Sequence, residues 1–461
     1  MREPLIVDMF AGGGGASVGI EMALGRYVDI AINHDEQAIA MHKVNHPNTI
    51  HLTEDIFKVN LEEIVKGQHV GLMWASPDCT HFSRAKGKKP RSNNIRMLPW
   101  AVHKHAKAIR PDVIICENVR EIMDWGPLDD KGYPIPEERG KEYQRFIEAM
   151  ETLGYTYQHR VLKAADYGAY TTRERWYAIF RCDGRPIIWP HPTHSEFPEV
   201  TGLKPWNHCA DLINWSDLGK SIFDRKKPLA EKTQRRIANG IKKFIIDNPE
   251  PYFVPEKDAM AFLIQYHSET KNDAVRGQDL EAPIQTIDTS NRYGLVTAFI
   301  TKFYKSGTGQ SVEEPIHTIT TSPGHFGLVS AFLIKYYGAE RDGQTMTSPL
   351  GTVVTKDRFG LASIVLDIKG DKYVIYDIFL RMLQPEELKL MQGFPEDYII
   401  DHDAEWKPYP KVEQVARIGN SVVPIMAQKL VAANCGYMKV GKRHPNPRYE
   451  NEDDGQIKFI V

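Results

Sequence analysis

Cysteine is scarce and scattered in this 461-residue chain: Cys79, Cys116, Cys182, Cys209 and Cys435 are odd in number and never spaced C-x-x-C. That argues against a disulfide framework or a structural zinc site, and it fits a reducing compartment, the cytoplasm. No apolar run approaches the ~20 residues that span a bilayer. The opening MREPLIVDMF runs straight into strand-like sequence, without the charged-then-apolar order of a leader. Neither a membrane nor a metal is therefore expected. An excess of one charge is also missing. The net charge is −2, so any affinity for a polyanion must come from local concentration of charge. Two stretches concentrate it, RAKGKKPRSNNIR (84–96) and RKKPLAEKTQRRIANGIKK (225–243); each is either a solvated face or a polyanion contact.

What is present is a globular composition, 42% hydrophobic and 26% charged, which sets disorder aside. The length calls for two domains, or one domain with a large insertion. Over residues 1–190, strand signals (PLIVDMF, YVDIAIN, HVGLMWAS, PDVIICEN, RERWYAIFRC) alternate with helix signals (ASVGIEMALG, DEQAIAMHKVN, MLPWAVHKHAKAIR). This predicts an α/β fold, a doubly wound, mostly parallel sheet whose ligands sit beyond the carboxyl ends of the strands. Asp8, Asn33, Cys79 and Glu117 all fall there. From 191 to 375 the chain becomes proline-rich, aromatic and β-like. Within it, 261–362 carries three copies of a unit of about 33 residues, anchored by Phe262, Phe299 and Phe332, by Pro283, Pro315 and Pro349, by Thr286, Thr318 and Thr352, and by Gly294, Gly327 and Gly360. Helix signals return from 376 to 435 in DIFLRMLQPEELKLMQGFP and NSVVPIMAQKLVAANCG. A polar, loosely held tail is expected over 436–461.

VDMFAGGGGASVGIEMALG joins a strand to a helix through Gly12–Gly15. Glycines there admit close approach of a ligand, and the helix N-terminus favours a negative group. The dinucleotide pattern G-x-G-x-x-G fails at Ser17, so a nucleoside cofactor carrying a carboxylate fits better than a nicotinamide. Asn33, His34 and Asp35 follow the second strand, where a ribose partner usually sits. Asp55, in HLTEDIF, is placed to accept from an exocyclic amine. Each acid alone reads equally as a helix cap; it is their recurrence at successive strand ends that points to a ligand.

Cys79 stands in a loop after a strand, with no ligand-spaced partner, which leaves a thiolate nucleophile whose pKa the adjacent Asp78 would raise. Glu117 ends the next strand in CENV, and Arg173 and Arg175 lie two apart in DYGAYTTRERW, facing one way if extended. A sulfur nucleophile, a carboxyl and guanidinium groups beside a nucleoside cofactor suit addition to an electron-poor ring.

In this order the residues resemble the DNA cytosine-5 methyltransferases that use S-adenosyl-L-methionine, over nearly the whole chain. Asp8, Phe10, Gly12 and Gly14 stand in that family's D-x-F-x-G-x-G motif, with Ala11 between them. Asp55-Ile56 look like its adenine-binding pair. Cys79, Phe82 and Ser83 fit P-C-x-x-F-S, with Pro77 just before; Glu117-Asn118-Val119 fit E-N-V; Arg173 and Arg175 fit R-x-R. RMLQPEELKLMQGFP (381–395) and RIGNSVVP (417–424) resemble the two closing motifs, the latter bringing Asn420, Ser421 and Val422 to the cofactor. The resemblance implies a methyltransferase fold of the S-adenosylmethionine-dependent class with a smaller β-rich target-recognition domain. It implies a cytosine flipped out of double-stranded DNA, attack by Cys79 on carbon 6, protonation of ring nitrogen 3 by Glu117, Arg175 on the exocyclic oxygen, and methylation at carbon 5. Ser83, Arg84, Lys86, Lys88, Lys89 and Arg91 are then expected to contact DNA. The implied enzyme is a monomer whose partner is a cognate restriction endonuclease.

Asp78 departs from that pattern in place of proline, Asn33 in place of glutamate, Tyr170-Thr171 in place of Pro-Gln, and Arg417 in place of glutamine. Rival readings are a tRNA methyltransferase, which lacks a long recognition insert; an enzyme favouring a carboxylated cofactor analogue, suggested by Arg417; and a non-catalytic DNA-binding relative.

Overall fold

The computed structural model describes residues 3–79, 82, 96–266, 276–303 and 371–446, with short strands at 332–335, 343–345, 359–362, 365–368, 448–451 and 457–460. The chain forms two compact units. The first comprises Met1–Leu212, Pro283–Asn291 and Gln384–Val461; the second comprises Ile213–Ala282 and Arg292–Leu383.

In the first unit, strands of four to six residues alternate with helices: β1 (Leu5–Met9), α1 (Gly15–Leu24), β2 (Ile30–Asn33), α2 (Glu36–Asn45), β3 (Ile50–Thr53), α3 (Leu61–Val65), β4 (Val70–Ala75), α4 (Leu98–Ile109) and β5 (Val113–Asn118). Helix α5 (Lys141–Thr152) then leads into β6 (Thr156–Lys163) and β7 (Glu174–Arg181). The sheet order is β3-β2-β1-β4-β5-β7-β6. The first five strands in that order pair in parallel, and β7 runs antiparallel to both β5 and β6. The sheet is therefore the expected doubly wound type. Strand β6 was not singled out from the sequence, because much of it faces solvent at the sheet edge and it shows no apolar run.

Alternate side chains of each central strand serve different cores. Val7, Met9, Met73, Ala75, Ile114 and Cys116 pack with residues of α4 and α5. Ile6, Leu72, Trp74, Val113 and Ile115 pack with α1 and the last long helix. With both faces covered, the strands must be apolar throughout, which is why the sequence displays them so plainly.

The second unit is built on antiparallel strands Ala259–Gln265, Tyr293–Phe303 and Asp371–Met382, flanked by Lys220–Ser221 and Gly277–Gln278. Helix α6 (Glu231–Ile241), from the second basic stretch, packs Ile237 and Ile241 against Phe244, Met260 and Phe262 and leaves Lys232 and Arg235 outward. The segment DIFLRM, which reads as helical, is instead the end of the long strand 371–382, in register with Gly294–Phe303. Its branched and aromatic side chains suit either state locally, and pairing with an existing strand decides between them. Pro283–Asn291, part of the first repeat copy, belongs to the first unit. Most of the second and third copies lies outside the described residues.

The chain returns to the first unit as α7 (Pro385–Met391), α8 (Lys411–Asn420) and α9 (Pro424–Cys435). Helices α1 and α9 touch so closely at Gly19 that a Cβ there would stand 2.3 Å from the Pro424 carbonyl oxygen.

Candidate active site

The parallel order brings the carboxyl ends of β1 to β5 to one edge of the sheet, and the antiparallel β7 starts at that same edge. Register confirms it: Asn118 lies opposite Trp176 and Glu117 opposite Tyr177. Three of the expected chemical groups consequently meet. The Cys79 loop follows β4 and is tied to the end of β5, where Asn118 Nδ2 donates to the Pro77 carbonyl at 3.0 Å. Phe82 N donates to the Cys79 carbonyl at 3.0 Å, and the Phe82 ring, 1% exposed, anchors this turn against Trp125. Arg175 Nε lies 3.2 Å from Glu117 Oε1, with both side chains largely buried. The two meet as an ion pair, and Glu117 Oε1 and Arg175 Nε are both buried without hydrogen-bond partners. An acceptor and a donor left in this state beside a half-buried thiol form a polar recess suited to a planar ring bearing both kinds of group.

Burial pushes the Cys79 thiol up, the Glu117 carboxylate pushes it further, and Arg175 and Arg173 oppose them; Asp78 adds a smaller upward push. Arg173 sits differently from Arg175. It is buried, its Nη1 donates to the Gly419 carbonyl at 2.9 Å and the Ile287 carbonyl at 3.4 Å, and burial lowers it to about 10. It holds the end of α8 and the segment 283–291 in place.

The cofactor candidates gather along the same edge. The β1–α1 loop reverses through left-handed backbone at Phe10, Gly12 and Gly14, with φ of 64°, 51° and 85°. Ala11 N donates to Ile32 O, which joins the loop to β2. Gly15 N donates to Ser421 Oγ at 3.1 Å, and Gln392 Nε2 donates to the Ser421 carbonyl at 3.1 Å, so the residues expected from RIGNSVVP do reach the loop. Val422 is buried beside them, while Asn420 is exposed. Asp8 is fully buried. It accepts from Ser17 Oγ at 2.6 Å, and burial raises it to about 7. Its place is beneath the loop.

Asp35 caps α2, accepting from Gln37 N and Ala38 N, and Asn33 Oδ1 accepts from Asp35 N. Asp55 accepts from Phe57 N, while Ile56 is buried in the core. The carboxylates of Asp35 and Asp55 and the His34 ring remain exposed at the ends of β2 and β3. Each acid is thus both a local cap and an outward-facing acceptor. Arg417 donates to Gln37 Oε1 at 3.0 Å and Glu413 Oε2 at 3.2 Å, lies over the Tyr409 ring, and packs its stem against the loop at Gly13. Ser83, Arg84, Lys86, Lys88, Lys89 and Arg91 lie outside the described residues.

The sequence reading missed a buried polar set under the loop, Glu21, His42, His46 and Tyr398, with part-buried Arg443 beside it. One signal was available, the i, i+4 spacing of His42, in the last turn of α2, and His46, which caps its C-terminal end.

Residues 5–435 match the sequence model of the C-5 cytosine-specific DNA methylase family. The chain belongs to that family. Relatives of this methylase include the Type II methyltransferase M.AquIA of Picosynechococcus sp., 26% identical over 46% of this chain and 88% of that protein. The Type II methyltransferase M1.HphI of Haemophilus parahaemolyticus is 28% identical over 52% of this chain and 66% of that protein. The Type II methyltransferase M.XorII of Xanthomonas oryzae is 28% identical over 42% of this chain and 44% of that protein. Against the last two, the methylase spans less than two thirds of the relative's length. No helix among the described residues is long and apolar enough to cross a membrane.

Proposed function

We propose that this chain methylates carbon 5 of a flipped-out cytosine in a specific sequence of double-stranded DNA, through a covalent adduct on Cys79. The observation that carries the reading is the meeting of Cys79, Glu117 and Arg175 at one sheet edge, with the carboxyl oxygen and guanidinium nitrogen buried as an ion pair and without a hydrogen bond. Cys79 Sγ gives its proton to the Glu117 carboxylate and attacks carbon 6 of the ring. Glu117 donates a proton to ring nitrogen 3, which lets the ring accept the electron pair, and Arg175 neutralises charge near the exocyclic oxygen. Carbon 5 becomes nucleophilic as a result. After transfer, the carbon-5 proton is lost to solvent, the sulfur is eliminated, and the proton on ring nitrogen 3 returns through Glu117 to restore Cys79.

The family is S-adenosylmethionine-dependent, and the residues present fit that cofactor. The glycine loop is held open in a left-handed turn, and Asp35 and Asp55 present acceptors from adjacent strand ends. Phe10, Ala11, Gly12, Gly14, Asn33, His34, Asp35, Asp55, Ile56, Pro77, Asn420, Ser421 and Val422 would surround it, with Asp8 supporting the loop from below. When bound, the cofactor supplies an electrophilic methyl group. Arg173 acts by positioning Gly419 and so the Asn420–Val422 turn. The second unit is the target-recognition domain in this reading, Ser83, Arg84, Lys86, Lys88, Lys89 and Arg91 contact the DNA, the working form is a cytoplasmic monomer, and a restriction endonuclease of the same specificity is the partner.

The test is transfer of labelled methyl from S-adenosylmethionine to duplex DNA and to tRNA by the native chain and by Cys79→Ser. Labelled DNA with the native chain and none with the variant supports the reading. Labelled tRNA alone, or undiminished transfer by the variant, overturns it. The mass of the modified base separates an added methyl from an added carboxymethyl.

A further inference from the structure

The glycine loop carries more support than its own sequence provides. Tyr398, in the connection between α7 and α8, is 2% exposed, and its Oη donates to the Gly13 carbonyl at 2.7 Å. The same hydroxyl fills the space that a side chain at Gly14 would need: a Cβ there would lie 2.0 Å from it. Tyr398 is itself held on several sides. Lys389 Nζ donates to its carbonyl at 3.0 Å, and Asn45 bonds both the amide and the carbonyl of the next residue, Ile399. His46 Nε2 stands 3.4 Å from the hydroxyl, and the opposite ring nitrogen, Nδ1, bonds Glu21 Oε1 at 2.7 Å. Arg443 closes the set, 3.4 Å from Glu21 Oε2 and bonded through both Nη atoms to Asp397. None of these groups is among the residues that the family motifs place at the cofactor. All except Arg443 and Asp397 are nearly or fully buried, where an unpaired polar group is costly.

We propose that Tyr398 is a positioning residue for the cofactor loop, locked through His46 and Glu21 by Arg443, so that the segment after α9 is part of the cofactor site's support. Fixing the Gly13 carbonyl fixes the peptide planes on either side of it, and with them the directions of the amides that face a ligand. Burial and the nearby Glu21 carboxylate keep the Tyr398 phenol neutral and able to donate. The inference rests on the proposed use of S-adenosylmethionine.

The experiment uses the full chain and S-adenosylhomocysteine as probe, measured by calorimetry. Tyr398→Phe keeps the ring and removes the donor. It should weaken probe binding about 5-fold, near the value of one neutral hydrogen bond, and raise KM for S-adenosylmethionine by a similar factor while leaving KM for DNA in place. Hydrogen exchange over residues 11–16 of the ligand-free variant should quicken. Tyr155→Phe is the matched control, since it loses a buried hydroxyl bond to the Pro111 carbonyl away from the loop; it should lower stability alone. Arg443→Gln should weaken the probe in the same direction. Native binding with equal affinity in Tyr398→Phe overturns the proposal, as does an equal loss in Tyr155→Phe. A loss at Tyr398 with none at Arg443 overturns the role given to Arg443. A native chain that does not bind the probe refutes the cofactor reading itself, and the inference with it.

Discussion

Gly15→Ala sets two physical effects against each other at the first residue of α1. Gly15 has ordinary backbone angles, so alanine meets no conformational strain there. Helix propensity alone favours the alanine by up to about 1 kcal/mol, and by less in a first turn. The contact geometry opposes it. The new Cβ would lie 2.2 Å from Ser421 Oγ and 2.2 Å from the Val422 carbonyl oxygen. The serine can rotate away, at the loss of the Gly15 N–H bond, about 1 kcal/mol. The carbonyl is backbone and can move only with the α8–α9 connection, an overpacking cost of about 1–3 kcal/mol. The net effect is destabilisation by about 1–3 kcal/mol, or roughly 5 °C in melting temperature for a unit of this size. Because the displaced residues are Ser421 and Val422, affinity for S-adenosylhomocysteine should fall as well. Thermal unfolding followed by circular dichroism and calorimetric titration measure the two effects. A variant as stable as the native chain, or more so, would show that propensity wins and that the close approach was misjudged.

Alkylation of Cys79 by iodoacetamide, followed peptide by peptide, should respond in opposite directions to its two charged neighbours. Glu117→Gln should move the pH midpoint down and Arg175→Ala should move it up, because the carboxylate raises the thiol and the guanidinium lowers it. Half-buried Cys182 serves as the internal reference, and shifts of the same sign at Cys79 would refute the arrangement. Asp8 gives a stability prediction. Burial raises it from 3.8 to about 7, so the folded chain holds a proton that the unfolded chain releases. Its contribution is complete below about pH 4 and is lost as pH rises through about 7. Asp8→Asn, which copies the protonated form, should therefore gain on the native chain between pH 5 and pH 8 in urea unfolding; a constant difference would count against it.

The strand-end chemistry was legible in the sequence because it is local. Cys79 and Glu117 sit where apolar runs stop, and a parallel sheet with helices on both faces brings such ends to one edge, while Arg175 sits where the antiparallel strand β7 begins at that same edge. The glycine loop was legible for a similar reason, since left-handed turns select glycine. Phe10, a non-glycine residue with positive φ, was not marked in this way.

Other features depended on partners far along the chain. The segment DIFLRM became strand because Tyr293–Phe303 was there to pair with it. Arg173, two residues from Arg175 and alike on paper, turned to the carbonyls of Gly419 and Ile287, which only the assembled unit supplies. Tyr398 lies 385 residues from the carbonyl it holds, and Arg443 belongs to a stretch whose polarity suggested a loose tail. By itself the sequence determined the family, the sheet and the chemical groups at its edge, because periodicity and short motifs encode these over a few residues. Tertiary structure alone decided which carboxylate faces which guanidinium and what holds the cofactor loop still, because buried polar groups must find partners wherever the fold places them.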